Sequence, residues 1–510
     1  MDLKGNNRTG VISIFAACIL FSLLNIFPGW KGDFYRPNQI LMLILIIAFL
    51  IFYLIVFSRN KDFTYRDFIF LAFSFGFILR LVYCFETDFY VRQHDLDVGY
   101  DTGHFAYIMR MFNIEGLPEV NVENSWQFYQ PPVWHVICAL FLRIQTILGV
   151  KLEIAFENLQ MISRLCSSSI MLLSLRLFKM FSLSKKSLCI AFSIVAFHPT
   201  FIILSGSINN DVLALTFSLV SVILALRWYR RPSFKRIIFL ALSIGFSMAV
   251  KLSAGLISLG VATLFAIKLF GKEYKNKLNL ILQFTSFGVI CVPLALWWQI
   301  RNLILFDVPI TFVPMLKDTN PQYVGNYSVL ERLFDFSSIS NGVYPARITK
   351  AQLFDYFDYN IPLTSLKTSV FGEYYLGHGS NALSPFANLL FACAVLITVF
   401  AIIGAVLTLI SMKKWKNSCN FGYDEFIFTI ICALTLVISH VKFCFEFAHF
   451  CTMDFRYIAL CVVFGALYVG LLVKESKKYN KIFGKITLYA LSITVAVFIV
   501  SSFAIYGTIA

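Results

Sequence analysis

One polar stretch, residues 86–135, carries side chains that could perform acid–base chemistry on a polar substrate. Its core holds three carboxylates within seven positions, with two histidines and a tyrosine close by: Asp95, Asp97, Asp101, His94, His104 and Tyr107. A carboxylate at the edge of an apolar helix bundle can be kept basic enough to deprotonate an acceptor hydroxyl. We therefore expect this stretch to be the active-site loop, with Asp95 or Asp101 as the catalytic base.

The same stretch raises the question of a metal ion. Histidine and aspartate together suit zinc or manganese. The spacing of His94 and His104 nevertheless matches no compact metal signature. No cofactor is predicted with certainty, and a divalent metal stays open as an alternative.

The end of the stretch reads Gln130-Pro131-Pro132, followed by Val133, Trp134 and His135. Proline is common in the first turn of a helix, so this motif is typical of a helix start. An amide and an imidazole beside the membrane are equally suited to contact a sugar. Gln130 and His135 are therefore predicted to bind substrate, with the helix start as the alternative.

Three cations are predicted at the same edge of the membrane: Lys251, Arg301 and Arg456. They could anchor the protein to lipid headgroups. They could also hold the phosphate of a lipid-linked donor and stabilise it as a leaving group. Asn210 and Asp211 follow a short turn, where Asp211 could cap the next helix or serve as a partner of this phosphate clamp.

Composition decides the class of protein that must position these residues. Of the 510 residues, 58% are hydrophobic and 14% charged, with a mean hydropathy of +0.75, whereas roughly a quarter of a soluble domain is charged. Apolar runs of about 17 to 25 residues recur, each long enough to cross a bilayer as a helix. The chain is therefore predicted to be an all-α integral membrane protein with no large soluble domain.

Charge predicts how these helices are oriented. The net charge of +15 comes from short basic clusters between apolar runs rather than from one patch, which argues against a nucleic-acid partner. Placing these clusters in the cytoplasm puts the N-terminus inside and residues 86–158 outside. We expect about 13 spans in the plasma membrane, near 10–28, 39–58, 67–84, 159–178, 187–204, 211–227, 236–250, 252–268, 278–299, 385–411, 425–441, 457–473 and 486–507.

Two further segments are predicted to lie on the outer face. Residues 132–149 are apolar, but a crossing there would put the next basic cluster outside, so we expect an amphipathic or half-inserted helix. Residues 300–383 are rich in Tyr, Asn, Pro and Gly and form a candidate acceptor-binding region or lid.

The order of these motifs resembles the polytopic GT-C glycosyltransferases, particularly the bacterial protein O-mannosyltransferase and aminoarabinose-transferase branch. The resemblance covers about residues 67–300. The matching positions are Asp101 with His104-Phe105-Ala106-Tyr107-Ile108, Gln130-Pro131-Pro132, Ser205-Gly206 with Asp211, and Lys251. It implies a GT-C-type bundle, a polyprenyl-phosphate sugar donor, a catalytic aspartate in the first outer loop and cations that hold the donor phosphate.

Two departures from that family matter. Where members of the family usually carry a pair of acidic residues, this chain has Asp101-Thr102. A differently gapped alignment places Asp95 in the catalytic position, so both Asp95 and Asp101 stay candidates. The two spans before residue 60 are additional to the common plan. The predicted organisation is 1–66 for two extra helices, 67–300 for the catalytic module, 301–384 for the second outer loop and 385–510 for the C-terminal helices.

The predicted function is transfer of a sugar from a polyprenyl-phosphate donor to a glycan, lipid or protein acceptor on the extracytoplasmic face. A transporter or flippase of lipid-linked sugars is the first alternative. Transporters more often show broken helices and paired repeats near the membrane midplane, whereas the ionisable groups here gather at one face. An outer-face ligase that moves a whole lipid-linked glycan is the second alternative.

Overall fold

The computed structural model describes residues 63–89, 94–99, 101–117, 119–272, 274–348, 354–373, 383–414 and 421–507. Within them the chain is almost entirely helical, as the composition predicts. Seventeen helices follow one another: α1 Tyr65–Glu86, α2 Gly103–Phe112, α3 Val133–Ile147, α4 Leu152–Glu157, α5 Gln160–Met180, α6 Lys185–Phe197, α7 Pro199–Gly206, α8 Asp211–Arg230, α9 Phe234–Val250, α10 Ser258–Phe270, α11 Lys277–Phe306, α12 Val329–Phe334, α13 Ile361–Phe371, α14 Ser384–Lys414, α15 Tyr423–Glu446, α16 Leu460–Tyr479 and α17 Lys481–Tyr506.

Short 3₁₀ turns and one hairpin complete the described residues. The turns cover His94–Leu96, Leu252–Ile257, Ser337–Asn341, Phe450–Met453 and Phe455–Ile458. Strands β1 Ala346–Ile348 and β2 Phe354–Tyr356 pair antiparallel, with Ala346 opposite Tyr356 and Ile348 opposite Phe354.

Long apolar helices confirm a multi-pass membrane protein. In the described residues nine helical stretches are long and apolar enough to span a bilayer, or ten if the bent pair Phe450–Ile458 and Leu460–Tyr479 is one span. Helix α9, a predicted span, is slightly shorter than these, with 17 residues. The first two predicted spans lie outside the described residues, so the total of 13 stays a prediction.

Two packed groups of helices build the core. Helix α6 packs against α1, α16 and α17, and α8 packs against α5 and α9, which in turn packs against α11. The central stretch is Lys185–Gly206, predicted as one continuous span. It divides at His198 because Pro199 lacks an amide hydrogen and disfavours helical geometry in the residue before it.

A buried arginine joins three of these helices. The Arg80 guanidinium donates to Ser167 Oγ at 2.8 Å, to the Gly76 carbonyl at 2.8 Å and to the Ala196 carbonyl at 2.6 Å. A buried guanidinium is tolerated only when its donors find acceptors, and here the acceptors belong to α1, α5 and α6.

The two ends of the bundle differ in charge. At one end Arg230 Nε lies 2.6 Å from Glu425 Oε1 and Tyr229 donates to Asp424, so the end of α8 meets the start of α15. Among the described residues, the basic clusters at 176–186, 227–236, 272–277 and 474–481 lie at this end of the helices. Successive long helices run in alternating directions, so the other ends of these helices lie together at the opposite end of the bundle. This opposite end holds residues 86, 206–211, 250–252 and 446–458.

The helix α3 lies where a half-inserted helix was predicted, and its 15 residues are too few to cross a bilayer. The second outer segment differs from an open polar loop, because α13 within it is almost completely buried. It packs against α7, α14 and the Phe455–Ile458 turn. The predicted role of 301–384 as an acceptor site or lid stays a prediction.

Lys367 anchors α13 through an ion pair with Asp358. Lys367 Nζ lies 2.9 Å from Asp358 Oδ2, and both side chains are fully buried. We expect Lys367→Met alone to lower the free energy of unfolding by about 3–5 kcal/mol, because it leaves a buried carboxylate without its cation. Thermal unfolding in detergent measures this loss, and the double variant Lys367→Met/Asp358→Leu should recover most of it. A double variant as unstable as the single one would contradict the explanation.

Candidate active site

Four ionic side chains from distant parts of the chain meet at the end of the bundle away from the basic clusters. Arg456 Nη2 donates to Asp95 Oδ2 at 2.8 Å, and Arg456 Nε lies 3.8 Å from Asp211 Oδ2. Lys251 Nζ forms an ion pair with Asp211 Oδ1. The side chains are only 9–21% exposed, so each charge depends on the others for compensation. We call Asp95, Asp211, Lys251 and Arg456 the ionic cluster.

The members of the ionic cluster lie at helix ends or in 3₁₀ turns. Lys251 sits at the break between α9 and a 3₁₀ turn, in an extended conformation with φ −154°. Asp211 is the first residue of α8, where the helix dipole favours a carboxylate. The N-cap residue of α8 is Asn210 and not Asp211. The Asp211 carboxylate pairs with Lys251 instead.

Asp95 lies in a tight turn that closes on Gly103. Gly103 has φ +80°, and a Cβ there would come within 2.7 Å of the Leu96 carbonyl oxygen, so the turn requires glycine. The Gly103 amide donates to the Trp126 carbonyl at 3.0 Å. This contact fixes the Asp95 turn against the segment that leads into α3.

The aromatic ring of Tyr457 lies beside both cations. Lys251 Nζ is 5.0 Å from its centroid and Arg456 Cζ is 5.2 Å away, and Arg456 Nη2 also lies 3.2 Å from the Tyr457 hydroxyl. The ring attracts both cations and fills the space between them. Asp454 holds Arg456 from the other side, with Asp454 Oδ2 at 3.5 Å from Arg456 Nε.

A cavity of about 620 Å³ opens in front of the ionic cluster. Asp95, Asp211 and Lys251 line its polar end. Residues 308–314, Leu316, Phe443 and Phe447 give it an apolar wall, and His440, Lys442 and Glu446 from the last turns of α15 also line it. Arg456 is not among the described lining residues and supports Asp95 from behind. The cavity therefore combines an apolar wall with charged groups from the ionic cluster and from α15.

A hydrogen-bonded layer borders the cavity beside Asp95. His104, Gln130 and Asn210 line it. Asn210 Nδ2 donates to Gln130 Oε1 at 3.3 Å and to the Val250 carbonyl at 3.0 Å. Gln130 in turn donates to the Tyr129 hydroxyl at 2.8 Å. Gln130 thus combines both predicted possibilities, since it precedes a helix start and reaches the cavity.

Two predicted residues lie one layer deeper. Tyr107 and His135 are fully buried and stacked, with ring centroids 3.8 Å apart. The Tyr107 hydroxyl donates to the Gln130 carbonyl at 3.3 Å, and His135 Nε2 lies 2.8 Å from His104 Nδ1. They support His104 and Gln130 and are absent from the described lining of the cavity.

Other predicted residues lie apart from the cavity lining. Asp101 is exposed, and Asp97 accepts a hydrogen bond from Thr102 at 3.2 Å. Arg301 lies over the Trp298 ring at 4.6 Å and donates to Asn302 Oδ1 at 3.1 Å. Neither these two aspartates nor Arg301 belongs to the lining that the structure describes. The side chain of His94 is outside the described residues.

Sequence reasoning missed several groups around the ionic cluster. Asp454 and Tyr457 contact Arg456. Their closeness to that arginine in the sequence, in a predicted outer turn, could have indicated that they belong to the site. Tyr129 lies beside the predicted Gln130. Glu373 is a single carboxylate shortly after α13, and nothing in its sequence surroundings points to the site.

Burial raises the pKa of Glu373 to about 8, although the Arg456 charge partly opposes this effect. Between pH 4.5 and 8 the folded protein therefore keeps a proton that the unfolded chain loses, so stability falls as pH rises across this window. We expect Glu373→Gln to remove that loss. Thermal unfolding at pH 5 and pH 8 should show the variant gaining relative to wild type at pH 8, and an equal difference at both pH values would contradict this origin.

No group of three or more His, Cys, Asp and Glu side chains in the described part of the chain is arranged to hold a metal ion. The carboxylates of the ionic cluster are instead paired with Lys251 and Arg456. We therefore assign no metal ligands among these residues.

Comparison with known families bears on the class of protein. Residues 153–313 match the family model described as dolichyl-phosphate-mannose-protein mannosyltransferase. This match confirms the resemblance to lipid-phosphate-dependent glycosyltransferases over that stretch, which includes Asn210, Asp211, Lys251 and Arg301 but not Asp95. No curated protein matches the sequence significantly.

Two solved structures from Archaeoglobus fulgidus align with much of the chain. One is an oligosaccharyltransferase tethered to an acceptor peptide containing the NVT sequon, with 10% identity, a TM-score of 0.48 and coverage of 89% of this chain and 56% of that one. The other is the oligosaccharyltransferase AglB with an inhibitory peptide and a dolichol-phosphate, with 11% identity, a TM-score of 0.48 and coverage of 86% and 55%. The chain spans about half the length of these proteins.

Proposed function

We propose that this protein is a membrane glycosyltransferase that moves a sugar from a polyprenyl-phosphate donor to an acceptor on the extracytoplasmic face. The observation that carries the proposal is the ionic cluster, which brings a carboxylate and a cation, Asp95 and Lys251, to one cavity at the end of the bundle away from the basic clusters. The family match over residues 153–313 supports the same class of reaction.

The cavity suits a donor with a charged head and an apolar tail. Lys251 reaches its polar end and is 13% exposed, so it can pair with a phosphate without losing Asp211. The apolar wall formed by residues 308–314, Leu316, Phe443 and Phe447 suits the first part of a prenyl chain. The matched family description names a dolichyl-phosphate sugar, and the AglB structure contains a dolichol-phosphate.

In the proposed reaction Asp95 removes the proton from the acceptor hydroxyl. The acceptor oxygen forms a bond to the anomeric carbon of the sugar while the bond from that carbon to the phosphate oxygen breaks. The lipid phosphate leaves with the electron pair of the broken bond, and Lys251 stabilises its charge. Arg456 orients Asp95 through the 2.8 Å hydrogen bond.

The remaining predicted contacts follow from the lining of the cavity. His104, Gln130 and Asn210 are placed to hydrogen-bond sugar hydroxyls, with Tyr107 and His135 supporting them. Arg301 lies outside the lining, so Lys251 is the proposed phosphate ligand of the three predicted cations. Asp101 stays the alternative candidate for the catalytic base, and Asp97 and His94 stay predicted substrate-binding residues.

Sidedness follows from the distribution of charge. Basic residues favour the cytoplasmic ends of membrane helices, which supports a cavity on the outer face and a cytoplasmic N-terminus. The plasma membrane is the proposed location. In this arrangement residues 67–300 supply most of the catalytic module, and residues 385–510 add Arg456.

Purified protein reconstituted in proteoliposomes tests the proposal directly. A panel of polyprenyl-phosphate sugars, including dolichyl-phosphate mannose, and of polyprenyl-diphosphate glycans is added with peptide, glycan and lipid acceptors, and release of the lipid phosphate or diphosphate is followed. We expect release that depends on one donor and one acceptor class. Movement of intact lipid-linked sugar across the bilayer without phosphate release would instead identify a flippase, and use only of diphosphate-linked glycans would identify a ligase.

A further inference from the structure

Two amide side chains lie one turn apart near the end of α11, on the face that borders the cavity. Gln299 and Asn302 are only 5% and 4% exposed, and both line the cavity. The Trp298 indole donates to the Tyr129 carbonyl at 3.1 Å, which fixes this part of α11 against the segment that leads into α3. The two amides therefore belong to a defined wall of the cavity.

The amide of Gln299 lacks hydrogen bonds that its burial requires. Gln299 Oε1 is buried and has no hydrogen-bond partner among the described residues. Of the cavity-lining side chains that the structure describes, it is the only one with such an atom. A buried amide that gives up water without a replacement destabilises the folded protein. Because the amide can turn about its last bond, either its oxygen or its nitrogen can face a ligand in the cavity.

Gln283 shows how the same helix accommodates a buried glutamine in the protein core. Gln283 Oε1 accepts from the Trp228 indole at 2.8 Å, and Gln283 Nε2 donates to Asn279 Oδ1 at 2.6 Å. Both ends of that amide are therefore satisfied within the protein, as is usual for buried polar groups. Gln299 is buried to a similar degree without such partners, which points to a role in binding rather than in stability.

Asn302 adds a donor to the same wall. Arg301 Nη1 donates to Asn302 Oδ1 at 3.1 Å. A guanidinium can only donate, so this contact fixes which end of the Asn302 amide is the oxygen. The amide nitrogen of Asn302, which can only donate, is the end that is left for a ligand.

The packing of α9 against α11 places Gln299 level with Lys251. Gly245 on α9 lies against Leu294 on α11, where a Cβ on the glycine would come within 2.9 Å of the leucine side chain. Both helices run towards the cavity. Lys251 follows Gly245 by six residues and Gln299 follows Leu294 by five, so the two side chains start at about the same height at a rise of about 1.5 Å per residue. A sugar attached to a phosphate at Lys251 is therefore at the height of Gln299.

We propose that Gln299 is a specificity-determining residue that hydrogen-bonds a hydroxyl group of the sugar carried by the lipid phosphate. This inference rests on the proposed transferase function and names a contact of its donor. A hydroxyl both donates and accepts, as an amide does, whereas the oxygens of an ionised phosphate only accept. Gln299 thus recognises the sugar while Lys251 holds the phosphate, and Asn302 supplies a second donor to the same sugar.

Binding of two short-chain lipids to the full-length protein in nanodiscs tests this contact without any transfer. One is farnesyl phosphate, and the other is farnesyl phosphate carrying mannose or the panel sugar that supports transfer. Gln299→Met keeps an unbranched side chain but removes the amide. We expect the Kd of the sugar-bearing lipid to rise about two- to tenfold, the size of one hydrogen bond, while the Kd of farnesyl phosphate stays within roughly twofold.

Gln283→Met is the matched control, and thermal unfolding without ligand separates a binding role from a structural one. Gln283→Met should lower the unfolding temperature, because it leaves the Trp228 indole without an acceptor, and should leave both Kd values unchanged. Gln299→Met should unfold at the wild-type temperature or above, since it removes a buried amide oxygen that has no described partner. A Gln299→Met variant destabilised as much as Gln283→Met would make the amide structural and overturn the proposal.

Two binding results would also overturn the proposal, even in an active transferase. One is an unchanged Kd for both lipids in Gln299→Met, and the other is an equal rise for both, which would assign Gln299 to the phosphate. In an active enzyme, a rise confined to the KM of the acceptor would assign the hydroxyl to the acceptor and overturn it as well. Sugar-dependent binding that requires Gln299, in a protein with no transfer from any donor, would contradict the proposed function and leave this contact standing.

Discussion

Asp95→Asn is expected to lower the rate of sugar transfer by about 10²–10⁴-fold, the usual contribution of a positioned general base. The asparagine has the same shape and can still accept the hydrogen bond from Arg456, so the local fold should persist. Transfer is measured in proteoliposomes containing equal amounts of folded protein, with thermal unfolding as the check on folding. Full activity in Asp95→Asn would contradict the assignment of this residue as the base.

Asp101→Asn is the matched control for that experiment. Asp101 is an aspartate six residues further along the same loop, and the sequence alone gave it an equal claim to the catalytic role. Its side chain is exposed and is absent from the described lining of the cavity. We therefore expect transfer close to wild type. A large loss in Asp101→Asn, with normal activity in Asp95→Asn, would move the catalytic role to Asp101.

Arg456→Gln is expected to have the second large effect, because one guanidinium compensates three carboxylates. Asp95, Asp211 and Asp454 lie 2.8, 3.8 and 3.5 Å from its nitrogens. Removing the partner of a buried charge costs about 3–5 kcal/mol, so the variant should unfold at a distinctly lower temperature. It should also lose most transfer activity, since Asp95 is no longer held. Thermal unfolding and the transfer assay measure the two losses.

Arg301→Gln is the control for a general effect of removing a cation from this face of the protein. Arg301 stacks on Trp298 outside the described lining, so its replacement should leave transfer within a few fold of wild type. If Arg301→Gln and Arg456→Gln were equally damaging, the special position of Arg456 beside Asp95 would be contradicted.

The gathering of distant residues at one face could be predicted from the sequence. Lys251 and Asp211 each lie at a helix end, and the alternation of apolar spans with basic clusters determines which ends share a side. Arg456 was predicted at the same edge by the same count of spans. The same count placed Arg301 at this edge, and it lies outside the ionic cluster, so the shared face could be predicted but the individual contacts could not.

The choice between Asp95 and Asp101 could not be predicted, because it depends on an irregular turn rather than on periodicity. Asp95 is turned towards Arg456 by a 3₁₀ turn that closes on Gly103, whose positive φ has no unique sequence signature. Glu373 was missed for a related reason. Its approach to the ionic cluster depends on the burial of α13, and the composition of residues 300–383 predicted an acceptor-binding region or lid without indicating a buried helix within it.

A cryo-electron microscopy structure of the protein with dolichyl phosphate in a lipid nanodisc tests the central claim most directly. The account predicts density for the phosphate in the cavity, within about 4 Å of Lys251 Nζ as expected for a charge-assisted contact, with the prenyl chain along the wall formed by residues 308–314. Lipid phosphate bound at saturation elsewhere on the protein, with the cavity beside Lys251 and Asp95 free of it, would contradict the account.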